Sequence, residues 1–107
     1  MFNSKVKDVS AEEAYKLISG DKELIILDVR TKEEYDNGHI QGAKLVPVQI
    51  LPMKLAEFDK YKDRPVLVYC ASGGRSPRAV DILENNDFKN IYHLGRGISS
   101  WRYGLTR

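Results

Sequence analysis

Two stretches of this chain are apolar at nearly every position. Leu24-Ile25-Ile26-Leu27-Asp28-Val29 is interrupted only by Asp28, and Val66-Leu67-Val68-Tyr69 leads straight into Cys70. A strand covered on one face alternates apolar and polar residues, whereas a strand covered on both does not. These two stretches therefore predict the interior of a parallel sheet with helices on both sides. Further strands are expected at Val6-Lys7-Asp8-Val9, at Asn90-Ile91-Tyr92-His93-Leu94, and at Lys44-Leu45-Val46-Pro47-Val48, the last limited by Pro47, which has no N–H for a ladder. Ser10-Ala11-Glu12-Glu13 fits a capping box, followed by Ala14, Leu17 and Ile18 on an inner helix face and Gly20 as the stop. Thr31-Lys32-Glu33-Glu34 repeats the signature before a short helix that Gly38 ends. A helix over residues 53–58 has Met53, Leu55, Ala56 and Phe58 as its apolar positions, and Asp63-Arg64-Pro65 makes a turn. Ser76-Pro77 opens the next helix, with Ser76 as N-cap, Pro77 at the first helical position, and Ala79, Val80, Ile82 and Leu83 buried. A last short helix over residues 98–103 carries Trp101. Strands alternating with helices make the class α/β with a mainly parallel sheet.

The length of 107 residues fits one domain over 1–107, and 42% hydrophobic with 30% charged residues fits a folded, soluble chain. One cysteine excludes an internal disulfide and a multi-thiolate zinc site. His39 and His93 are far from each other and from zinc-ligand spacing, so neither metal nor cofactor is expected. No run approaches the roughly 20 apolar residues of a membrane span. Met1-Phe2-Asn3-Ser4-Lys5 lacks the apolar stretch of a signal peptide, which with a free thiol points to the cytoplasm. Net charge is only +2, but it is unevenly placed. Residues 1–69 hold 11 Lys+Arg against 12 Asp+Glu, and residues 70–107 hold 6 against 3. Uneven sampling is the plain reading of that surplus, and a small-anion site is the sharper one. No Lys/Arg run or basic-aromatic interleaving suggests nucleic acid.

The cysteine carries the chemistry. In Cys70-Ala71-Ser72-Gly73-Gly74-Arg75-Ser76-Pro77 a buried strand delivers a thiol to its carboxyl end, and a two-glycine loop leads into a helix. Ligands of open α/β sheets bind at that end of the strands. Glycines let successive N–H groups turn inward as an anion nest, the helix adds its positive end, and Arg75 adds a full charge. All three favour thiolate, so the Cys70 pKa is expected below the ordinary value of about 8.5. A lone cysteine is by composition more often a small core residue; the strand–loop–helix setting argues otherwise.

Two motif blocks now mark a resemblance. One is Leu27-Asp28-Val29-Arg30 through Glu33-Glu34-Tyr35 to Gly38-His39-Ile40-Gln41-Gly42-Ala43. The other runs from Val68-Tyr69-Cys70 through Gly73, Arg75 and Ser76 to Leu94, Gly97-Ile98 and Trp101. Over about residues 9–101 the sequence resembles the single-domain rhodaneses, which are sulfurtransferases. The resemblance implies a rhodanese-like α/β fold, with a five-stranded, mainly parallel sheet flanked by helices on both faces. It implies a Cys70 persulfide cradled by the loop of Ala71, Ser72, Gly73, Gly74, Arg75 and Ser76, with Arg75 holding the loop or the donor's oxygens. It implies a small anionic sulfur donor such as thiosulfate, discharge to cyanide or a thiol, and ping-pong kinetics. A sulfur relay between proteins is the alternative role.

Similar folds also serve as phosphatases and arsenate reductases, which have five residues between cysteine and arginine. Here four separate Cys70 from Arg75, a shorter loop suited to one sulfur atom. The resemblance assigns Asp28, Arg30 and His39 to a supporting network, read as an ion pair and a hydrogen-bonded orienter. His93 reads as structural, Arg78 as a solvated surface residue, Trp101 as core or packing beneath the loop, and Glu33 and Glu34 as explained by capping. The sequence departs from the family pattern at Ala71, often basic there, at Arg96 in a usual glycine pair, and at Asp87 in a usual glycine turn. With no second cysteine, a persulfide on Cys70 must be discharged by something from outside.

Overall fold

β2 (Ile25–Asp28) and β4 (Val66–Tyr69) are buried at all four of their positions and lie side by side, Ile25 opposite Val66 and Asp28 opposite Tyr69. The computed structural model that shows this describes residues 6–107; residues 1–5, read above for a signal peptide, lie outside the described residues. β5 (Ile91–Leu94) flanks β4, β1 (Val6–Val9) flanks β5, and the two-residue β3 (Lys44–Leu45) flanks β2. The order is β1-β5-β4-β2-β3 and every ladder is parallel, as the unbroken apolar runs require.

Alternate residues of each strand feed two apolar clusters. Ile25, Leu27, Val66, Val68 and Ile91 pack against α3 (Leu51–Phe58) and α4 (Ser76–Asn85) through Leu51, Leu55, Phe58, Ala79, Val80 and Leu83. Ile26, Leu67, Tyr69 and Leu94 pack against α1 (Ala11–Gly20) and α2 (Lys32–Asp36) through Ala14, Leu17, Ile18 and Tyr35. Each fully buried side chain of this kind contributes about 1.5–3 kcal/mol. β4, with no residue more than 1% exposed, is therefore the strand the fold can least lose.

Both capping boxes are present, Ser10 with Glu13 and Thr31 with Glu34. Asp87 takes a left-handed φ of 69° where α4 ends, the conformation its place in a glycine turn demanded. Four local expectations are corrected. The strand over residues 44–48 shrinks to two residues, because Pro47 has no N–H and the chain turns into a 3-10 helix at Val48–Ile50. The helix over 53–58 begins at Leu51, and its inner positions are Leu51, Leu55 and Phe58, leaving Met53 73% exposed. The last helix is a 3-10 helix, Gly97–Ser100; Trp101 follows it in extended backbone and donates from Nε1 to Gly104 O. Ser76 is not an N-cap: Arg75 already has helical backbone angles and takes that position, leaving the Ser76 hydroxyl free for other work.

Candidate active site at Cys70

Cys70 lies immediately beyond β4 and is 1% exposed. A cysteine held there has few routes to charge stabilisation except the loop that follows it. Gly73 N–H donates to its sulfur at 3.1 Å and Ser76 N–H at 3.4 Å, while the thiol sits 3.3 Å from Ser76 Oγ. Burial pushes the thiol pKa up, but the Ser76 hydroxyl and the amides of Arg75, Ser76 and Gly73 outweigh it. The net position is below an ordinary thiol, the direction the sequence implied.

The tight curl depends on two glycines. Gly73 has φ +96°, and a Cβ there would run into the Gly95 carbonyl oxygen. Gly97 has φ +65°, and its Cβ would lie 2.5 Å from Cys70 O and 2.6 Å from Ala71 O, so the start of the 3-10 helix can tuck beneath the loop. Ile98 N–H and Ser99 N–H then donate to Cys70 O and Ala71 O at 2.9 and 3.0 Å, fixing the loop from below.

Arg75, expected to hold the loop or the donor's oxygens, is paired with a carboxylate. Its two terminal nitrogens donate to Glu34 Oε1 and Oε2 at 2.7 and 2.8 Å, a bidentate pair that ties the loop to α2. Glu34 thus does two jobs, since Oε1 also accepts from Thr31 N–H at 3.0 Å in the capping box. Capping alone does not explain it, and the unused second oxygen of an N3 glutamate was the only signal in the sequence. The Arg75 hydrogen bonds hold the Glu34 carboxyl down at about 2, against desolvation. A carboxylate with a lowered folded pKa stabilises the fold above its unfolded value and loses that contribution as pH falls. The melting temperature is therefore expected to drop from about pH 4.5 toward pH 2, and Glu34→Gln should flatten that slope. A slope in that window as steep in Glu34→Gln as in wild type would show that the pair is unimportant.

Asp28 and Arg30 form the expected ion pair, on the opposite face of the sheet from Cys70. Arg30 Nε lies 2.9 Å from Asp28 Oδ1 and its terminal nitrogen 2.7 Å from Oδ2, with 0% and 6% exposure for Asp28 and Arg30. Tyr69 O–H donates to Asp28 Oδ2 at 2.7 Å and accepts from Ile40 N–H at 3.1 Å. Burial, and then the carboxylate beside it, push the Tyr69 phenol far above its usual range, so it remains a donor. His39 stacks on Tyr35 at 3.6 Å between ring centroids, and its Nδ1 lies 2.9 Å from Tyr35 O. None of the three is within the sulfur's hydrogen-bonding set.

Ala71, Ser72 and Gly74 complete the loop, Ser72 and Gly74 exposed and Ala71 partly so. Arg78 is exposed. Arg96 is exposed and lines a groove with Val9, Ser10, Ala11, Gly95 and Ser100. Trp101 packs with the cluster on the face away from Cys70. Among the described residues no group of three or more His, Cys, Asp or Glu is placed to hold a metal ion, and no helix is long and apolar enough to cross a membrane. His93, read from the sequence as structural, stands beside the Cys70 site. Its ring meets Ser76, and a histidine on the inner face of a covered strand signals that need, because a buried imidazole requires partners.

Comparison with known proteins gives a consistent picture. The model of the Rhodanese-like domain matches residues 10–103. A protein of Allochromatium vinosum named Sulfurtransferase is 31% identical over 101 residues, covering 94% of this chain and 92% of that one. The uncharacterized protein YqhL of Bacillus subtilis is 31% identical over 101 residues, covering 94% and 77%. The crystal structure of a rhodanese-like domain protein from Staphylococcus aureus superposes with a TM-score of 0.83 at 33% identity, covering 94% of this chain and 96% of that one.

Proposed function

The chain belongs to the rhodanese-like domain family, and from that premise we propose that it is a sulfurtransferase working through a Cys70 persulfide. The observation that supports this best is the convergence of loop amides and a hydroxyl on one buried sulfur. The Cys70 thiolate attacks the outer sulfur of a sulfane donor. With thiosulfate, a new S–S bond forms to Cys70, the S–S bond of the donor breaks, and its electron pair departs with sulfite. The persulfide anion takes the place of the thiolate in the cradle. Cyanide or a thiol then attacks its outer sulfur and returns the thiolate, so the two half-reactions share one site. Sulfite and thiolate leave without protonation, so the leaving groups need no general acid. A thiol that must stay reduced between turnovers suits a reducing cytoplasm.

One observation supports the second reading, a carrier loaded by another protein's persulfide. Arg75 is engaged by Glu34, and the position after the nucleophile is Ala71, so neither of these two positions offers a free cation to the sulfonate oxygens of thiosulfate. A weak thiosulfate KM with fast loading from a protein persulfide is the expected pattern. The test is thiocyanate formation from cyanide with each donor, run beside hydrolysis of an aryl phosphate. Thiocyanate without phosphate release is the predicted result. Phosphate release without thiocyanate from any donor would sink both sulfur-transfer readings and leave the phosphatase alternative.

A further inference from the structure

Four side chains from different parts of the chain form one line of hydrogen bonds, and the persulfide chemistry above uses only its Cys70 and Ser76 end. Cys70 Sγ is 3.3 Å from Ser76 Oγ, Ser76 Oγ is 2.5 Å from His93 Nε2, and His93 Nδ1 is 2.9 Å from Asp8 Oδ1. Strand register makes the line. Asp8 on β1 pairs with His93 on β5, His93 pairs with Val68 on β4, and Cys70 lies two positions beyond Val68 on the same face. Ser76 is 0% and His93 8% exposed, while the Asp8 side chain is 79% exposed, so the line runs from a buried sulfur to water.

A hydroxyl has one proton, and this dictates how the line works. With Cys70 as a thiol, S–H donates to Ser76 Oγ, Ser76 O–H donates to His93 Nε2, and His93 Nδ1–H donates to Asp8. A thiolate needs the serine proton for itself. Ser76 can turn that proton to sulfur without orphaning Nε2 only if His93 acquires a proton and becomes the donor to Oγ. We propose that His93 is a positioning residue for the sulfur chemistry, accepting the Cys70 proton by way of Ser76 while Asp8 holds the ring in the accepting tautomer. S–H and the old Oγ–H break, and a new Oγ–H and Nε2–H form. The net change is one proton from sulfur to nitrogen, with no electron transferred. Of the nearby cations, Arg75 is bound to Glu34, and Arg96, just past β5, is exposed. The relay rests on the sulfurtransferase reading for its purpose, since the thiolate is the attacking form.

Alkylation of Cys70 by iodoacetamide follows the thiolate without any sulfur donor. In folded His93→Phe and His93→Gln the midpoint of the pH–rate profile is expected to rise by a unit or more. Alkylation near pH 6.5 then slows about tenfold or more, while the high-pH plateau is kept. Ser76→Ala should shift likewise, and Ser76→Thr, which keeps the hydroxyl, should not. Asp8→Asn should slow the reaction only about two- to threefold, because that carboxylate is exposed. In the unmutated protein, ¹⁵N NMR near pH 7.5 should find a proton on His93 Nε2 that is lost once Cys70 is alkylated. Unshifted profiles in folded His93 variants, or a His93 ring indifferent to alkylation, would overturn the relay. Sulfur loading with an unshifted profile removes the relay and spares the sulfurtransferase. A shifted profile with no loading from any donor does the reverse.

Discussion

Asp28→Ala is expected to lower the free energy of unfolding by about 3–5 kcal/mol, because it strips the partner from a buried guanidinium. Arg30 is 6% exposed, and its guanidinium makes three hydrogen bonds to the Asp28 carboxylate and one more to Gly38 O. Its ring neighbour Tyr69, fully buried on β4, also loses its acceptor. Burial pulls the Arg30 pKa down, and Asp28 more than offsets it, so the charge cannot be discarded by losing a proton. For a domain with a total stability of about 5–15 kcal/mol this is a large fraction. The melting temperature should fall by at least about 12 °C, at about 4 °C or more per kcal/mol for a chain this size. Exposed pairs such as Lys32–Asp36, at 78% and 54% exposure, should by contrast matter little when broken. Denaturant unfolding of Asp28→Ala within about 1 kcal/mol of wild type would show that Arg30 finds water or another partner.

Cys70→Ser is expected to lower sulfur transfer at least about a thousandfold while leaving the fold nearly intact. The serine hydroxyl inherits the amides of Gly73 and Ser76, so no polar group is orphaned, and the packing against Val68 and Ala79 changes little. What is lost is the anion. An alkoxide is out of reach near neutral pH, whereas the thiol pKa is already held down by four hydrogen-bond donors. A transfer rate in Cys70→Ser within tenfold of wild type would mean that another group carries the sulfur.

The fold was legible where local chemistry and tertiary demand agree. Ile25–Asp28 and Val66–Tyr69 read as buried parallel strands because no surface-facing strand would be apolar on both faces. Ser10 and Thr31 announced their helices through a reciprocal bond with a residue three positions on. Cys70, Gly73 and Ser76 were legible as a group because strand, loop and helix follow one another in sequence. The relations that sequence reading missed are those that only the sheet order creates. Glu34 and Arg75 are 41 positions apart, and Asp8 and His93 are 85 apart. Ser76 was misplaced by one helical position, since a serine before proline looks the same as N-cap or as first residue. Arg75 entering helical angles decides it, and that choice sends the hydroxyl to the sulfur and the histidine.

The central claim, a persulfide on Cys70, is tested most directly by the intact mass of the protein after exposure to thiosulfate or a protein persulfide, and again after cyanide. The expected result is a gain of one sulfur atom in wild type, lost on cyanide addition and absent in Cys70→Ser. No gain with any sulfane donor, or an equal gain in Cys70→Ser, would contradict it.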